Sequence, residues 1–299
     1  MYCAYSQQEV VALFENFRSL MPPRADALID YFGAVISPEC APYLAARVGT
    51  KIDTPPFPDD TIRATFIEYL ALVDSVRLSE KNLYQMCELG ASYAPFSVLA
   101  GLLAIRSGIQ KIVLRPVEAS ESGAPVIEKN FRVNGLYENE SVDIEITNAA
   151  VCSRFETLYF PSVDCTIDNG GAATSEHIET DVRGAKISHV KVSGVPVDYI
   201  LDKCIKDAPI DLLHVDIQGG EEHTIPDAIG LLNVKVRRML IATHSRVIEG
   251  TLLVTLARNG WNLIAEEPTK FKFNPDIKSF TGITTSDGSQ YWVNPRLTT

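Results

Sequence analysis

From about Lys81 onward the chain alternates short apolar runs with helix-like segments, and this alternation most constrains the fold. "LYQMCELG" reads as a buried strand meeting a glycine turn, and "PFSVLAGLLAIRSG" as the helix after it. "KIVLRPVEAS" is a second strand, with "APVIEKNFRVNGL" behind it, and "VDIEITNAAVC" a third. After a looser stretch come "VPVDYILDKC" as a helix, "IDLLHVDIQ" as a strand and "IPDAIGLL" as a helix. "VRRMLIATHS" is another strand, and "EGTLLVTLARNGW" a helix stopped by Gly260. "WNLIAEEP" and "SQYWVNP" fit an antiparallel pair closing the sheet. Strands alternating with helices imply a doubly wound, mostly parallel α/β sheet covered on both faces, here with seven strands. Such a sheet gathers its ligands beyond the carboxyl ends of its strands.

Residues 1–80 have a different character. "EVVALFENFRSL", "PRADALIDYFGAVI" and "DTIRATFIEYLALVDSVRL" carry helical apolar spacing, and the prolines of "DTPPFPDD" break it. They read as a separate N-terminal helical region, with residues 81–299 as the main domain. A net charge of −11 argues against broad nucleic-acid or anionic-membrane binding, which need a basic surface. The longest apolar run, "FSVLAGLLAI", falls well short of the ~20 residues that span a bilayer. The opening "MYCAYSQQEV" lacks the basic-then-apolar order of a signal peptide. The six cysteines, at 3, 40, 87, 152, 165 and 204, form no CxxC pair. Free thiols in a cytoplasmic protein are the expectation.

The strand ends hold the chemistry. In "CELGASYAPF", Gly90 permits a tight turn and close approach of a ligand, while Ala91 and Ser92 leave room. A dinucleotide loop needs G-x-G-x-x-G; here one glycine stands with the acid Glu88, which would repel a pyrophosphate. A cationic cofactor such as S-adenosylmethionine suits it better, and a plain strand with a turn is the alternative. Glu118, at the next strand end, could accept two hydrogen bonds from a ribose diol, or be a surface acid. Asn148 and Ala149, at the third, suit the edge and face of an adenine. Asp216 and His244 end neighbouring strands. An aspartate orienting a histidine of pKa near ~6.5 suits deprotonation of a hydroxyl; a structural histidine is the competing reading. Asp216, Glu221, Glu222, His223 and His244 also offer enough ligands for a divalent metal. That reading is not favoured, because Glu221 to His223 fit the first turn of a helix, where acids are expected anyway.

In this order and spacing, "ELGASYAPF", "VEAS", "KNFRVNGL" with "NAAVC", "IDLLHVDIQGGE" and "THS" followed by "LLVTLARNGW" resemble the FkbM family of S-adenosylmethionine-dependent methyltransferases. The resemblance runs from about Leu83 to Ile264 and implies a class I methyltransferase, Rossmann-like fold. It implies cofactor contacts at Glu88, Gly90, Ala91, Ser92, Tyr93, Glu118, Ala119, Ser120, Asn148 and Ala149. Asp216 and Gln218 would face the cleft as further cofactor contacts, and Asp216 and His244 would lie beside the methyl, with His244 as general base. It further implies O-methylation of a hydroxyl on a sugar, polysaccharide or secondary metabolite. The family often has lysine where His214 stands and glutamate where Gln218 stands, in its "D-x-x-K-x-D-x-E-G-x-E" segment. Residues 1–80 lie outside the resemblance, as a cap on the substrate side or a homo-oligomer contact, and residues 152–195 would shape the acceptor side. Two other functions stand beside this one: a catalytically inactive methyltransferase-like scaffold, and an NAD or nucleotide-sugar oxidoreductase.

Overall fold

The structure is a computed structural model and describes residues 1–162, 164–167, 170–179, 186–277 and 279–298. Its centre is a nine-stranded sheet. In chain order the strands are β1 (Tyr2–Cys3), β2 (Tyr84–Leu89), β3 (Ile112–Glu118), β4 (Val142–Ile144) and β5 (Thr147–Asn148), then β6 (Leu212–Val215), β7 (Arg238–Thr243), β8 (Asn262–Glu267) and β9 (Gly288–Val293). Across the sheet the order is β1-β8-β9-β7-β6-β2-β3-β4, and β5 pairs with the end of β3. β4, β3, β2, β6 and β7 run parallel. β9 is antiparallel to both β7 and β8, as the two C-terminal apolar runs imply. This is a Rossmann-like, doubly wound sheet with seven strands in the expected places. The count rises to nine because the third run breaks into β4 and β5, and because β1 adds antiparallel to β8.

Every residue of β2, β3 and β7 is buried, as strands covered on both faces require. Alternate side chains of β2 serve opposite cores. Tyr84 and Met86 join the cluster beneath α1 (Gln7–Glu15), α2 (Phe66–Arg77), α3 (Pro95–Arg106) and α4 (Gly123–Val133). Cys87 and Leu89 join the cluster beneath α5 (Val197–Leu201), α6 (Glu221–Lys235) and α7 (Arg246–Arg258). A separate three-stranded sheet, Ala150–Cys152, Glu156–Pro161 and His189–Pro196, stands beyond β5. None of the described helices is long and apolar enough to cross a membrane.

Two of the three N-terminal helices form. α1 starts on a reciprocal Ser6–Glu9 capping box, and ten of the twelve residues of α2 are buried. The middle segment is instead a short antiparallel pair, Leu28–Ile29 with Val35–Ile36. Its apolar spacing is helical, but the Asp30 side chain accepts from Ala34 N at 2.7 Å and Gly33 turns at φ +94°. These local bonds offer the backbone a turn in place of a helix. Val10, Phe14, Phe32 and Tyr69 share one apolar cluster with Tyr84 and Leu99, so the boundary near Lys81 divides sequence character and not cores.

Candidate active site at the strand ends

Gly90 closes β2 at φ +80°, and Gly90 N and Ala91 N both donate to Val117 O. A Cβ at Gly90 would lie 1.7 Å from Asp216 O, so only glycine lets the exits of β2 and β6 touch. The chain then passes Ser92, also left-handed, whose N–H donates to Glu118 Oε2 at 2.7 Å. Ser120 N donates to Glu118 Oε1 at 2.7 Å. Each carboxylate oxygen therefore holds one backbone N–H and retains acceptor capacity. Burial pushes the Glu118 carboxyl up, against the pull of those N–H groups. Gly123 makes room for this arrangement, because a Cβ there would meet Glu118 Cγ at 2.2 Å.

These residues wall a cavity with about 650 Å³ of atom-free space, counting its mouth. Eight of the twelve expected cofactor residues line it: Gly90, Ser92, Glu118, Ala119, Ser120, Ala149, Asp216 and Gln218. Ala150, Val151 and Phe160 add an apolar wall from the small sheet. The other four are turned elsewhere. Glu88 is 1% exposed and accepts from Phe96 N and Ser97 N, capping the positive end of α3. Ala91 is buried in the turn, and the Tyr93 hydroxyl pairs with that of Tyr43. Asn148 is exposed, and its amide donates to Glu118 O and Ser120 O, which fastens the loop after β3.

Asp216 and His244 do meet, at 3.2 Å between Oδ1 and Nε2. Beside the pair expected from the sequence stands a third residue. Glu221, fully buried at the start of α6, places Oε1 3.3 Å from His244 Nδ1. Burial alone would lower the histidine's pKa, but Glu221 and Asp216 together raise it well above 6.5, which favours the protonated ring. Burial likewise pushes Asp216 up, and His244, His214 and Gln218 more than reverse it, holding the carboxyl below its usual range. Gln218 Nε2 donates to Asp216 Oδ1 at 3.0 Å, where a glutamate would repel. The metal reading rests on the same three groups, whose donor atoms lie within 4.8 Å of one another. Each ring nitrogen of His244 faces one of the two carboxylates, so a protonated ring offsets one of their two negative charges. Glu222 and His223 are not part of this cluster. Glu221 itself accepts from Ile217 N and Gly219 N, which fixes the turn after β6.

Asp216 and Gln218 also belong to a second, wider cleft with about 1150 Å³ of atom-free space. Its far wall is residues 59–65 and Glu68, and its floor Ala242, His244 and residues 286–289. Sequence reasoning did not single out Arg63 or Glu68. The signal for Glu68 was the T-x-x-E capping box it forms with Thr65 at the start of α2. Burial lifts the Glu68 carboxyl to about 7, against the pull of Thr65 and His214. The Asp60 carboxylate accepts from Ile62 N, Arg63 N, Ala64 N and the Tyr69 hydroxyl, which gives the wall its shape.

A sequence model of the methyltransferase FkbM domain matches residues 91–251, more than half of the chain. The chain belongs to the FkbM methyltransferase family. A relative described as "Putative methyltransferase", from Jannaschia sp. (strain CCS1), is 28% identical over 242 residues, covering 80% of this FkbM chain and 83% of that protein. Among solved structures, a precorrin-6y C5,15-methyltransferase from Geobacter metallireducens GS-15 is 12% identical with a TM-score of 0.42, over 77% of this chain and 87% of that one. A ribosomal protein L11 methylase from Lactobacillus delbrueckii subsp. bulgaricus is 10% identical with a TM-score of 0.37, over 76% of each chain. The FkbM match contains Glu118, Asp216, Gln218 and His244. It excludes both outer walls of the wider cleft, residues 59–68 and 286–289.

Proposed function

We propose that this FkbM-family methyltransferase is a cytoplasmic enzyme that uses S-adenosylmethionine to methylate a hydroxyl of a sugar, polysaccharide or secondary metabolite. The observation that carries this reading is the shared wall. Asp216 and Gln218 line both cavities, so one pair of residues faces the expected cofactor space and an acceptor cleft together. The first cavity suits the cofactor's parts: Glu118 for a ribose diol, Ala149, Ala150 and Phe160 for an adenine, Gly90 and Ser92 for close backbone approach. S-adenosylmethionine, when bound, supplies a methyl group on a sulfonium, open to in-line displacement.

What this chain contributes is mainly position. Alignment of two bound reactants is worth up to ~7–11 kcal/mol, whereas a general base adds ~10²–10⁴-fold. Asp216 Oδ1 is held by His244 and Gln218. Its Oδ2 has no hydrogen bond among the described residues and is free to take the hydrogen bond of an acceptor hydroxyl. His244, kept as imidazolium, orients that carboxylate and is not itself the base. Residues 59–68 cap the acceptor side. Calorimetry with S-adenosylmethionine and with its demethylated product tests the reading; binding of neither refutes it. Transfer of a labelled methyl group to a hydroxylated acceptor completes the test.

A further inference from the structure

The wider cleft is lined by more acids than bases. Asp59, Asp60, Glu68, Asp216 and Asp287 line it, against two cations, Arg63 and His244. Both cations already have carboxylate partners. Arg63 pairs with Asp30 at 3.0 Å, and His244 lies between Asp216 and Glu221. Neither has its charge left unpaired for an anionic acceptor.

Glu68 and Asp216 each keep one carboxylate oxygen for a ligand. Both bonds to Glu68 come from Thr65 and use Oε2, so Oε1 has no hydrogen bond among the described residues. Asp216 Oδ2 is in the same position across the cleft, since His244 and Gln218 both use Oδ1. A third group points to a ligand independently. The Arg63 side chain is 8% exposed, and its buried Nε has no partner among the described residues. A buried guanidinium N–H without an acceptor is costly, and a ligand oxygen would satisfy it.

We infer that the acceptor of this methyltransferase carries a protonated amino group close to the hydroxyl, as in an amino sugar or other polyhydroxylated amine. Glu68 and Asp216 would flank the ammonium and Arg63 Nε would donate to a neighbouring oxygen. A phosphorylated sugar, a nucleotide sugar or a uronic acid would bring a negative charge among carboxylates with no cation to meet it. Burial lifts Glu68 to about 7, and an ammonium beside it would offset the cost of burying its charge. Arg63 and Glu68 lie outside residues 91–251, the stretch that the family model matches, and Asp216 lies within it.

The inference rests on the methyltransferase reading, and the experiment separates the two. The protein is first titrated with S-adenosylhomocysteine by calorimetry; failure to bind it removes the methyltransferase reading and this inference with it. The saturated protein is then titrated with matched neutral, ammonium and phosphate forms of a hexose and of a cyclitol, beginning with glucose, glucosamine and glucose 6-phosphate. At least one ammonium form should bind tenfold or more tighter than its neutral match, and no phosphate form should bind. Salt should weaken the ammonium form and spare the neutral one. Glu68→Gln should cut the preference to threefold or less while S-adenosylhomocysteine affinity stays within twofold. Equal binding of neutral and ammonium forms, binding of a phosphate form, or no ammonium ligand at all on S-adenosylhomocysteine-loaded protein would overturn it.

Discussion

Replacing Glu221 with glutamine keeps the side chain's size and removes one of the two carboxylates facing His244. Contacts to charged groups are worth about 1.5–3 kcal/mol, and one pKa unit corresponds to about 1.4 kcal/mol, so the imidazolium should lose about 1–2 units. The Glu221 contact is 3.3 Å long and His244 Nδ1 lacks hydrogen-bond geometry toward it, which places the shift near the lower end. The assay is an NMR titration of the His244 ring protons in the wild type, Glu221→Gln and Asp216→Asn. A parallel stability curve follows from the same pKa. Because the folded value is raised, the stabilisation from His244 is fully present below its unfolded pKa of ~6.5 and is lost as pH rises through the folded value. Glu221→Gln should therefore flatten the decline of stability above neutral pH. A wild-type His244 that titrates near 6.5, or one indifferent to both substitutions, would refute the clamped imidazolium and return the histidine to the general-base role.

Gly90→Ala combines a left-handed φ, costing about 1–2 kcal/mol, with a clash on Asp216 O, costing about 1–3 kcal/mol more. Urea denaturation should show a loss of several kcal/mol; a loss under 1 kcal/mol would mean that the strand exits do not touch. Gly123→Ala should displace Glu118 and weaken S-adenosylmethionine binding by tenfold or more while costing little stability, measured by calorimetry and thermal melting together. Asp60→Ala strips acceptors from three backbone N–H groups and the Tyr69 hydroxyl, at about 1–3 kcal/mol for each group left buried without a partner. It should destabilise the chain by more than 2 kcal/mol in denaturant, and wild-type stability would show that the wall at 59–65 does not depend on it.

The parallel strands were legible because their two-sided burial writes itself as continuous apolar runs, and strand ends follow from strands. Glu118 and Asp216 were found that way. Glu88 was placed in the same class because position alone does not say whether a carboxylate turns outward or caps the next helix; its rotamer is decided by the free N–H groups of Phe96 and Ser97. Glu221 was read as a residue of a helix's first turn, which it is, yet burial also brings it against His244. The segment around Gly33 had helical spacing but a local turn that spacing does not register. The acceptor cleft was least visible. Its walls come from residues 59–68 and 286–289, and only tertiary packing brings such distant stretches together.

Asp216 and Gln218 stand in both cavities, and that has a thermodynamic consequence. Any ligand that shifts these two side chains in one space alters the other, so the two bindings share a coupling free energy. Such coupling is reciprocal: the factor by which cofactor changes acceptor affinity equals the factor by which acceptor changes cofactor affinity. Gln218, at φ +55° beside Gly219 at φ +112°, belongs to the turn held by Glu221, so the coupling passes through that turn. Order of addition and product inhibition in this protein would then both be set at one short turn.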